Sequence, residues 1–302
     1  MLKDQKQHYI PEFYQKQWAC PDGRLCEYSM RHKGVQGRMT YPAGSGYKPG
    51  VYTISGVAPE IANHTENVFL KRVDTGAAAA LSNMLSADPE PWNTHTKSEW
   101  IRFVMSLMHR TPERVEYLKA IVEAEYPKLV AEYRAKWSEV RKPTDPETFE
   151  EFEATAAPNP PGRALAVLLQ KLIDSKIVGE HLGKMQWRVL TLTNTPYPFL
   201  TSDRPIIMTN GLTGPDAHLG LPVSPQHVFL ATTNEETFHK IRSIDPAQIL
   251  LNVNGKVASQ AVKYVYGCDD SQLDFVAARF GKKIPSTPLE MRTASTGGAA
   301  NG

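Results

Sequence analysis

The middle of the chain carries the pattern that most constrains the fold. Apolar residues recur at three- and four-residue spacing through most of residues 65–182, which is the period of a helix with one buried face. Thr96–Glu99 has the form of a capping box, and Thr111 precedes a proline suited to the first helical position. The sequence therefore predicts helices beginning near residues 65, 96, 112 and 162.

Both ends of the chain have strand-like patterns instead. Pro21-Asp22-Gly23 is turn chemistry between two short runs, which predicts an N-terminal hairpin. Apolar and β-branched runs after residue 185 predict several strands, with a closing helix over 272–280. We predict an α+β fold with an N-terminal hairpin region, a helical middle and a C-terminal mixed sheet. The early strands are expected to fold back against the late ones.

Residues 141–161 combine several prolines with an acidic run. This composition predicts a linker or a surface excursion around at most one short helix, and it is the one candidate for a domain boundary. We place it on a single α+β domain over residues 1–291, because a chain of 302 residues can bury a sizeable core without disulfides. Residues 292–302 are small, polar and rich in glycine. This composition predicts a mobile tail.

Composition excludes several classes of protein. The net charge of +2 provides no global attraction to nucleic acid or to an anionic membrane. Three cysteines do not form a secreted disulfide framework, and no apolar run approaches the length of a membrane span. P-loop, dinucleotide-binding, zinc-protease and serine-hydrolase motifs do not occur in the sequence. We predict a soluble, cytoplasmic protein with no membrane partner.

Short motifs give a resemblance to a known family. The segment His8–Trp18, HYIPEFYQKQW, resembles the start of a bacterial domain-of-unknown-function family, number 4238. The similarity continues at Thr65-Glu66, at Arg110-Thr111-Pro112, at 199–205 (FLTSDRP) and at 221–225 (LPVSP). The resemblance implies an acid several residues into the first long helix, where glutamate is expected and this chain has Asp74. It implies no activity.

Three residues are our candidate catalytic groups. His8 suits acid or base chemistry, because imidazole titrates near neutral pH. Asp203 follows an apolar run and is expected to orient His8 or to bind metal, although it also suits a turn that caps its own backbone. Arg110 is expected to stabilise negative charge, although a cation at a helix C-terminus has a sufficient structural explanation.

Other polar residues have weaker assignments. Tyr14, Ser202 and Arg204 are candidate substrate-binding groups, with Arg204 suited to a phosphate or carboxylate. Glu66 and Asp74 fall on one side of the first long helix, where two carboxylates suit a divalent cation. For these two acids we favour a solvated face that pairs with Lys71 and Arg72. The cysteines lack the spacing of a zinc site.

Two functions follow from these residues. The first is a hydrolase or nuclease-like phosphodiesterase with a site of His8, Asp203 and Arg110, and with a divalent metal as a possible cofactor. The second is a non-catalytic module that binds nucleic acid, a nucleotide or a partner protein through an aromatic and basic surface. The cations considered for that surface are Lys48, Lys71, Arg72, Arg102, His109 and Arg110.

Overall fold

The structure, a computed structural model, describes residues 6–282. These residues fall into two compact units, each built from two segments of the chain. The first unit contains residues 6–13 and 46–184, and the second contains 14–45 and 185–282. A single domain over 1–291 stays a prediction, and the tail predicted over 292–302 lies outside the described residues.

The elements confirm the α+β prediction. The helices are α1 Glu12–Gln15, α2 Pro59–Ala62, α3 Lys71–Met84, α4 Thr94–His109, α5 Pro112–Ala135, α6 Trp137–Val140, α7 Phe149–Ala154, α8 Pro160–Ile173, α9 Lys176–Lys184, α10 Glu235–Arg242, α11 Pro246–Gln260 and α12 Leu273–Ala277. The strands are β1 Lys6–His8, β2 Leu25–Arg31, β3 Gly34–Thr40, β4 Tyr47–Pro49, β5 Gln186–Thr191, β6 Thr201–Ser202, β7 Ile207–Thr209, β8 His218–Ser224, β9 His227–Thr232 and β10 Val265–Gly267. A π-helical turn, Thr65–Leu70, runs into α3.

The first unit is mainly helical. Helix α3 packs against α4, and α8 packs against both α4 and α5. The predicted apolar stripe of α3 is buried, including Val73, Ala77 and Leu81, and so are the rings of Trp100 and Phe103 on α4. Strands β1 and β4 form a short antiparallel pair in the same unit.

Helix α4 begins earlier than the predicted capping box. Asn93 is the N-cap, and its side chain accepts a hydrogen bond from the backbone N–H of Thr96 at 2.9 Å. Glu99 does not reach back to Thr96. It is buried and accepts a hydrogen bond from Arg102 at 2.7 Å. The predicted box fails because Asn is a strong N-cap residue and stands one turn ahead.

The proline-rich segment over 141–161 contains one short helix, α7, as predicted. It lies within the first unit and does not coincide with a boundary between units. The Trp137 ring packs against those of Phe149 and Phe152, with ring centroids 5.6 and 4.7 Å apart. These aromatic contacts attach the segment to the end of the helical array.

The second unit contains two four-stranded sheets, with strand orders β3-β2-β10-β6 and β5-β9-β8-β7. Among residues 6–282 every strand pair is antiparallel, so the late sheet predicted as mixed has antiparallel pairing. Helix α11 contributes to the apolar clusters that pack against both sheets, and Val253 packs against each. Strand β10 pairs with β2, so an early strand does fold back against a late one.

The N-terminal hairpin has different strands from those predicted. Strands β2 and β3 form it, and its turn lies at residues 32–33. The segment before Pro21 is helical, because α1 and the 3₁₀ turn Lys16–Trp18 follow each other. Tyr14 and Trp18, four residues apart, are both fully buried with ring centroids 5.3 Å apart. This four-residue aromatic spacing is the helical signal that the turn chemistry concealed.

Candidate functional site

Glu66 lies on the π-helical turn of the first unit, directly before α3. Such turns are rare and are frequently found at functional sites. The backbone N–H of His8 donates a hydrogen bond to the Glu66 carboxyl group. Oε2 of Glu66 is buried and has no hydrogen-bond partner among the residues that the structure describes.

The surroundings of Glu66 change its acidity. Burial raises the pKa of Glu66 from an ordinary 4.5 to about 7. Arg110 lowers this pKa and Asp74 raises it, so burial is the dominant cause. Both protonation states of Glu66 are therefore populated at neutral pH, which is the condition for a general acid or base.

Arg110 occupies the C-terminal end of α4 and is fully buried. Its Nη1 donates to Oδ1 of Asp74 at 2.7 Å, and its Nη2 donates to Oδ2 of Asp74 at 3.2 Å and to the carbonyl oxygen of His8 at 2.6 Å. The hydroxyl of Tyr52 donates to the carbonyl oxygen of Arg110. Arg110 thus joins β1, α3 and α4, and its Nε is buried without a partner in the described chain.

His8 ends β1, opposite Tyr47 of β4. Its Nε2 lies 3.6 Å from Oε1 of Glu12, and its ring centroid lies 5.6 Å from that of Tyr47. Burial lowers the pKa of His8, while Glu12 opposes the change. The imidazole is therefore mainly neutral at neutral pH, and one ring nitrogen is a proton acceptor.

These residues form one group in the first unit. We call His8, Glu12, Glu66, Asp74 and Arg110 the Glu66 cluster. Two of them, His8 and Glu66, have pKa values moved in opposite directions, His8 downwards and Glu66 upwards. Such a pair can divide the roles of base and acid between them.

Asp203, the third predicted catalytic residue, lies in the second unit. Its carboxylate accepts hydrogen bonds from the backbone N–H groups of Val262 at 3.0 Å, Lys263 at 2.6 Å and Tyr264 at 3.2 Å. The side chain is buried and fixes the segment between α11 and β10. These N–H groups belong to a segment distant in sequence, so the contacts differ from the local cap of its own turn that was the structural alternative for Asp203. His8 lies on a strand that pairs with β4, and a site shared by His8, Arg110 and Asp203 stays a prediction.

The predicted substrate-binding residues also lie in the second unit. The Tyr14 hydroxyl, fully buried, donates to the carbonyl oxygen of Pro222 at 2.7 Å and lies 2.6 Å from Oγ1 of Thr201. Ser202 is fully buried, and its Oγ accepts from the backbone N–H of Arg204 at 3.1 Å. Arg204 is partly exposed. Tyr14 and Ser202 therefore make contacts within the fold.

The acids and cations considered at the sequence level have separate partners. Asp74 pairs with buried Arg110 and does not belong to a solvated face with Lys71. Arg102 pairs with Glu99 and Asp174. His109 is largely buried, and burial lowers its pKa to about 4.

The remaining cations of the proposed basic surface are Lys48, Lys71 and Arg72. Lys48 lies 3.6 Å from Glu116, whereas Arg72, like Lys71, is exposed. A continuous basic surface from these residues is thus interrupted by ion pairs and burial. Within residues 6–282, no group of three His, Cys, Asp or Glu side chains is placed to hold a metal ion.

The comparison with protein families matches residues 6–271 to the family described as "Protein of unknown function (DUF4238)". The chain belongs to the DUF4238 family. The resemblance drawn from the short motifs is therefore confirmed. No curated protein and no solved structure matches the chain.

The DUF4238 match spans both units and every residue of the Glu66 cluster. In the part of the chain that the structure describes, no helix is long and apolar enough to cross a membrane. Sequence reasoning missed Glu12 and Tyr52 and underrated Glu66. The available signal was positional, since Thr65-Glu66 and Arg110-Thr111-Pro112 are both among the motifs from which the resemblance was drawn.

Proposed function

We propose that this DUF4238 protein is a hydrolase whose acid–base pair is Glu66 and His8. The observation that carries the proposal is the Glu66 carboxyl group, whose Oε2 is buried without a hydrogen-bond partner and whose pKa burial raises to about 7. Strongly perturbed acids of this kind concentrate at active sites, because catalysis needs a pKa near the working pH.

The two residues take complementary roles. His8 is mainly neutral at neutral pH and accepts a proton from the attacking water. Glu66, in its protonated form, donates a proton to the leaving group. Glu12, 3.6 Å from Nε2 of His8, stabilises the imidazolium that forms during the reaction.

Arg110 and Asp74 are positioning residues in this proposal. Arg110 is fully buried and its Nη groups are committed to Asp74 and to the carbonyl oxygen of His8. It therefore holds the His8 backbone, whose N–H in turn contacts Glu66. The sequence suggested that Arg110 stabilises negative charge on a substrate. We propose instead that Arg110 positions His8.

The proposed substrate is a phosphodiester. Lys6 is an exposed cation on the same strand as His8, its Nζ lies 4.5 Å from the Tyr47 ring centroid, and its charge lowers the pKa of His8. A cation beside the base favours an anionic substrate. Lys6 therefore supports the nuclease-like hypothesis. The binding-module hypothesis has less support, because ion pairs and burial interrupt the basic surface that it requires.

The test is hydrolysis of bis(p-nitrophenyl) phosphate and of fluorogenic single-stranded DNA and RNA, with and without Mg²⁺ or Mn²⁺. We expect Glu66→Gln to lower kcat at least about a hundredfold, the usual contribution of a general acid. The matched control is Glu60→Gln, an exposed acid on the preceding helix. Full activity in Glu66→Gln, or no hydrolysis by the natural protein under any of these conditions, would reject the proposal.

A further inference from the structure

The motif at 221–225 (LPVSP) has no role in the Glu66 cluster, and its serine has a distinctive neighbour. Ser224 ends β8, Pro225 and Gln226 form the turn, and His227 begins β9. A shift of register between Pro222 and Ser224 interrupts the regular pairing just before the turn. All of these residues belong to the second unit.

Ser224 and His227 are directly hydrogen bonded. Oγ of Ser224 lies 2.6 Å from Nδ1 of His227. The backbone N–H of Gln226 donates to the same Oγ at 3.2 Å. In the His227 tautomer that carries its proton on Nε2, Nδ1 accepts the hydroxyl hydrogen of Ser224.

The protonation state of His227 is consistent with a hydrogen bond donated by Ser224 to Nδ1. Burial lowers the pKa of His227, so the ring is mainly neutral at neutral pH and Nδ1 is free to accept. A serine hydroxyl that donates to a neutral imidazole has the arrangement of an activated nucleophile.

A cavity of about 390 Å³ opens beside Ser224. Its lining includes Ser224, Pro225 and Gln226 of the turn and the loop residues Thr193 and Tyr197. Its volume suits a small organic group. The prolines and the tyrosine ring supply apolar surface, and Thr193 supplies a hydroxyl.

We propose that Ser224 is a nucleophile activated by His227, and that this second site cleaves esters with short acyl groups. Oγ of Ser224 attacks the carbonyl carbon, and its proton passes to Nδ1 of His227. The electron pair of the carbonyl π bond moves to the oxygen, for which we assign Thr193 as hydrogen-bond donor. The site is separate from the Glu66 cluster and does not depend on the phosphodiester proposal.

The remaining steps complete the reaction. The tetrahedral intermediate expels the alkoxide, which takes the proton from His227 and leaves as the alcohol. Water then attacks the acyl-serine while Nδ1 accepts a proton from the water. Expulsion of Oγ releases the carboxylic acid, and the proton returns from His227 to Ser224. Ester and water thus give acid and alcohol, with no other reactant.

The experiment treats the full chain with a fluorophosphonate probe and identifies the modified peptide by mass spectrometry. We expect labelling at Ser224, its loss in Ser224→Ala, and a rate about a hundredfold lower in His227→Gln. Ser243→Ala, a change at an exposed serine after α10, should label like the natural protein. p-Nitrophenyl acetate should be cleaved faster than p-nitrophenyl palmitate, because the cavity is small. Absence of label from Ser224 in the folded protein would overturn the proposal. The hydrogen bond between Ser224 and His227 would then only stabilise the turn.

A second pair of variants guards against failure to fold. In Ser224→Cys, the thiol takes the place of the hydroxyl, and His227 should accelerate its alkylation by iodoacetamide. We expect at least tenfold slower alkylation at position 224 when His227→Gln is added, with circular dichroism confirming that both variants are folded. Equal alkylation rates would show that His227 does not activate the residue at 224.

Discussion

The acidity of Glu66 can be tested without a substrate, through the pH dependence of stability. In the folded protein the pKa of Glu66 is about 7, and its ordinary value is 4.5. Between these values the folded chain binds more protons at this position than the unfolded chain does. The contribution of Glu66 to stability is therefore fully present below pH 4.5 and is lost as the pH rises through 7.

The magnitude follows from the size of the shift. A change from 4.5 to about 7 corresponds to about 3 kcal/mol of free energy of unfolding. The side chain is partly exposed, so solvent screening reduces the effect, and we expect about 2 kcal/mol. Glu66→Gln cannot ionise, and it should be more stable than the natural protein by this amount at pH 8. At pH 5 the two proteins should differ little, because Glu66 is then largely protonated in the folded state.

The assay is urea unfolding from pH 5 to pH 8, followed by tryptophan fluorescence, for the natural protein, Glu66→Gln and Glu60→Gln. The informative quantity is the change with pH in the stability difference between Glu66→Gln and the natural protein. Glu60→Gln should show no such change, since Glu60 is exposed. If the difference for Glu66→Gln is the same at pH 5 and pH 8, then burial does not raise the pKa of Glu66 and the acid–base proposal loses its foundation.

Three further variants have expected outcomes. Asp74→Asn leaves Arg110 buried without its carboxylate, and should cost about 3–5 kcal/mol in urea unfolding. In that variant the pKa of Glu66 should fall below 7, because Asp74 raises it, as carboxyl NMR titration would show. The natural protein should lose stability as the pH falls from 6.5 to about 4, because the unfolded chain binds a proton at His109 in that window and the folded chain does not. His109→Gln should not show this loss. Asp203→Asn should destabilise the second unit by about 3 kcal/mol, because an amide cannot accept from all the N–H groups that the carboxylate contacts, with a thermal melt as the readout.

Much of the fold could be predicted from local patterns. The helices of the middle region follow from apolar spacing, and Thr111-Pro112 marks the start of α5 as expected. The wrong predictions share a cause, since each depended on choosing between two local signals. Pro21-Asp22-Gly23 suggested a hairpin, whereas the aromatic pair Tyr14 and Trp18 makes the preceding segment helical because burying both rings decides the local structure.

The pairing of distant segments could not be predicted in the same way. Strand β10 joins β2 across most of the chain, and β1 pairs with β4. No local pattern specifies these partners, because strand pairing depends on the tertiary packing of both faces. The expectation that the strand of His8 would pair with late strands therefore had no support in spacing, although the general folding back was correct.

The candidate site shows why polar motifs alone do not identify chemistry. Asp203 and Tyr14 stand in motifs from which the resemblance was drawn, yet their polar atoms contact other parts of the second unit. Arg110 stands in another motif and uses both Nη groups within the fold. Glu66 differs because it combines a buried oxygen without a partner, Oε2, with a carboxyl pKa that burial raises to about 7. A buried oxygen of that kind costs stability unless something else compensates, and a bound substrate is one such compensation. Unused hydrogen-bonding capacity together with a pKa near neutrality, both of which only the folded chain reveals, therefore separates Glu66 from the polar residues that hold the fold together.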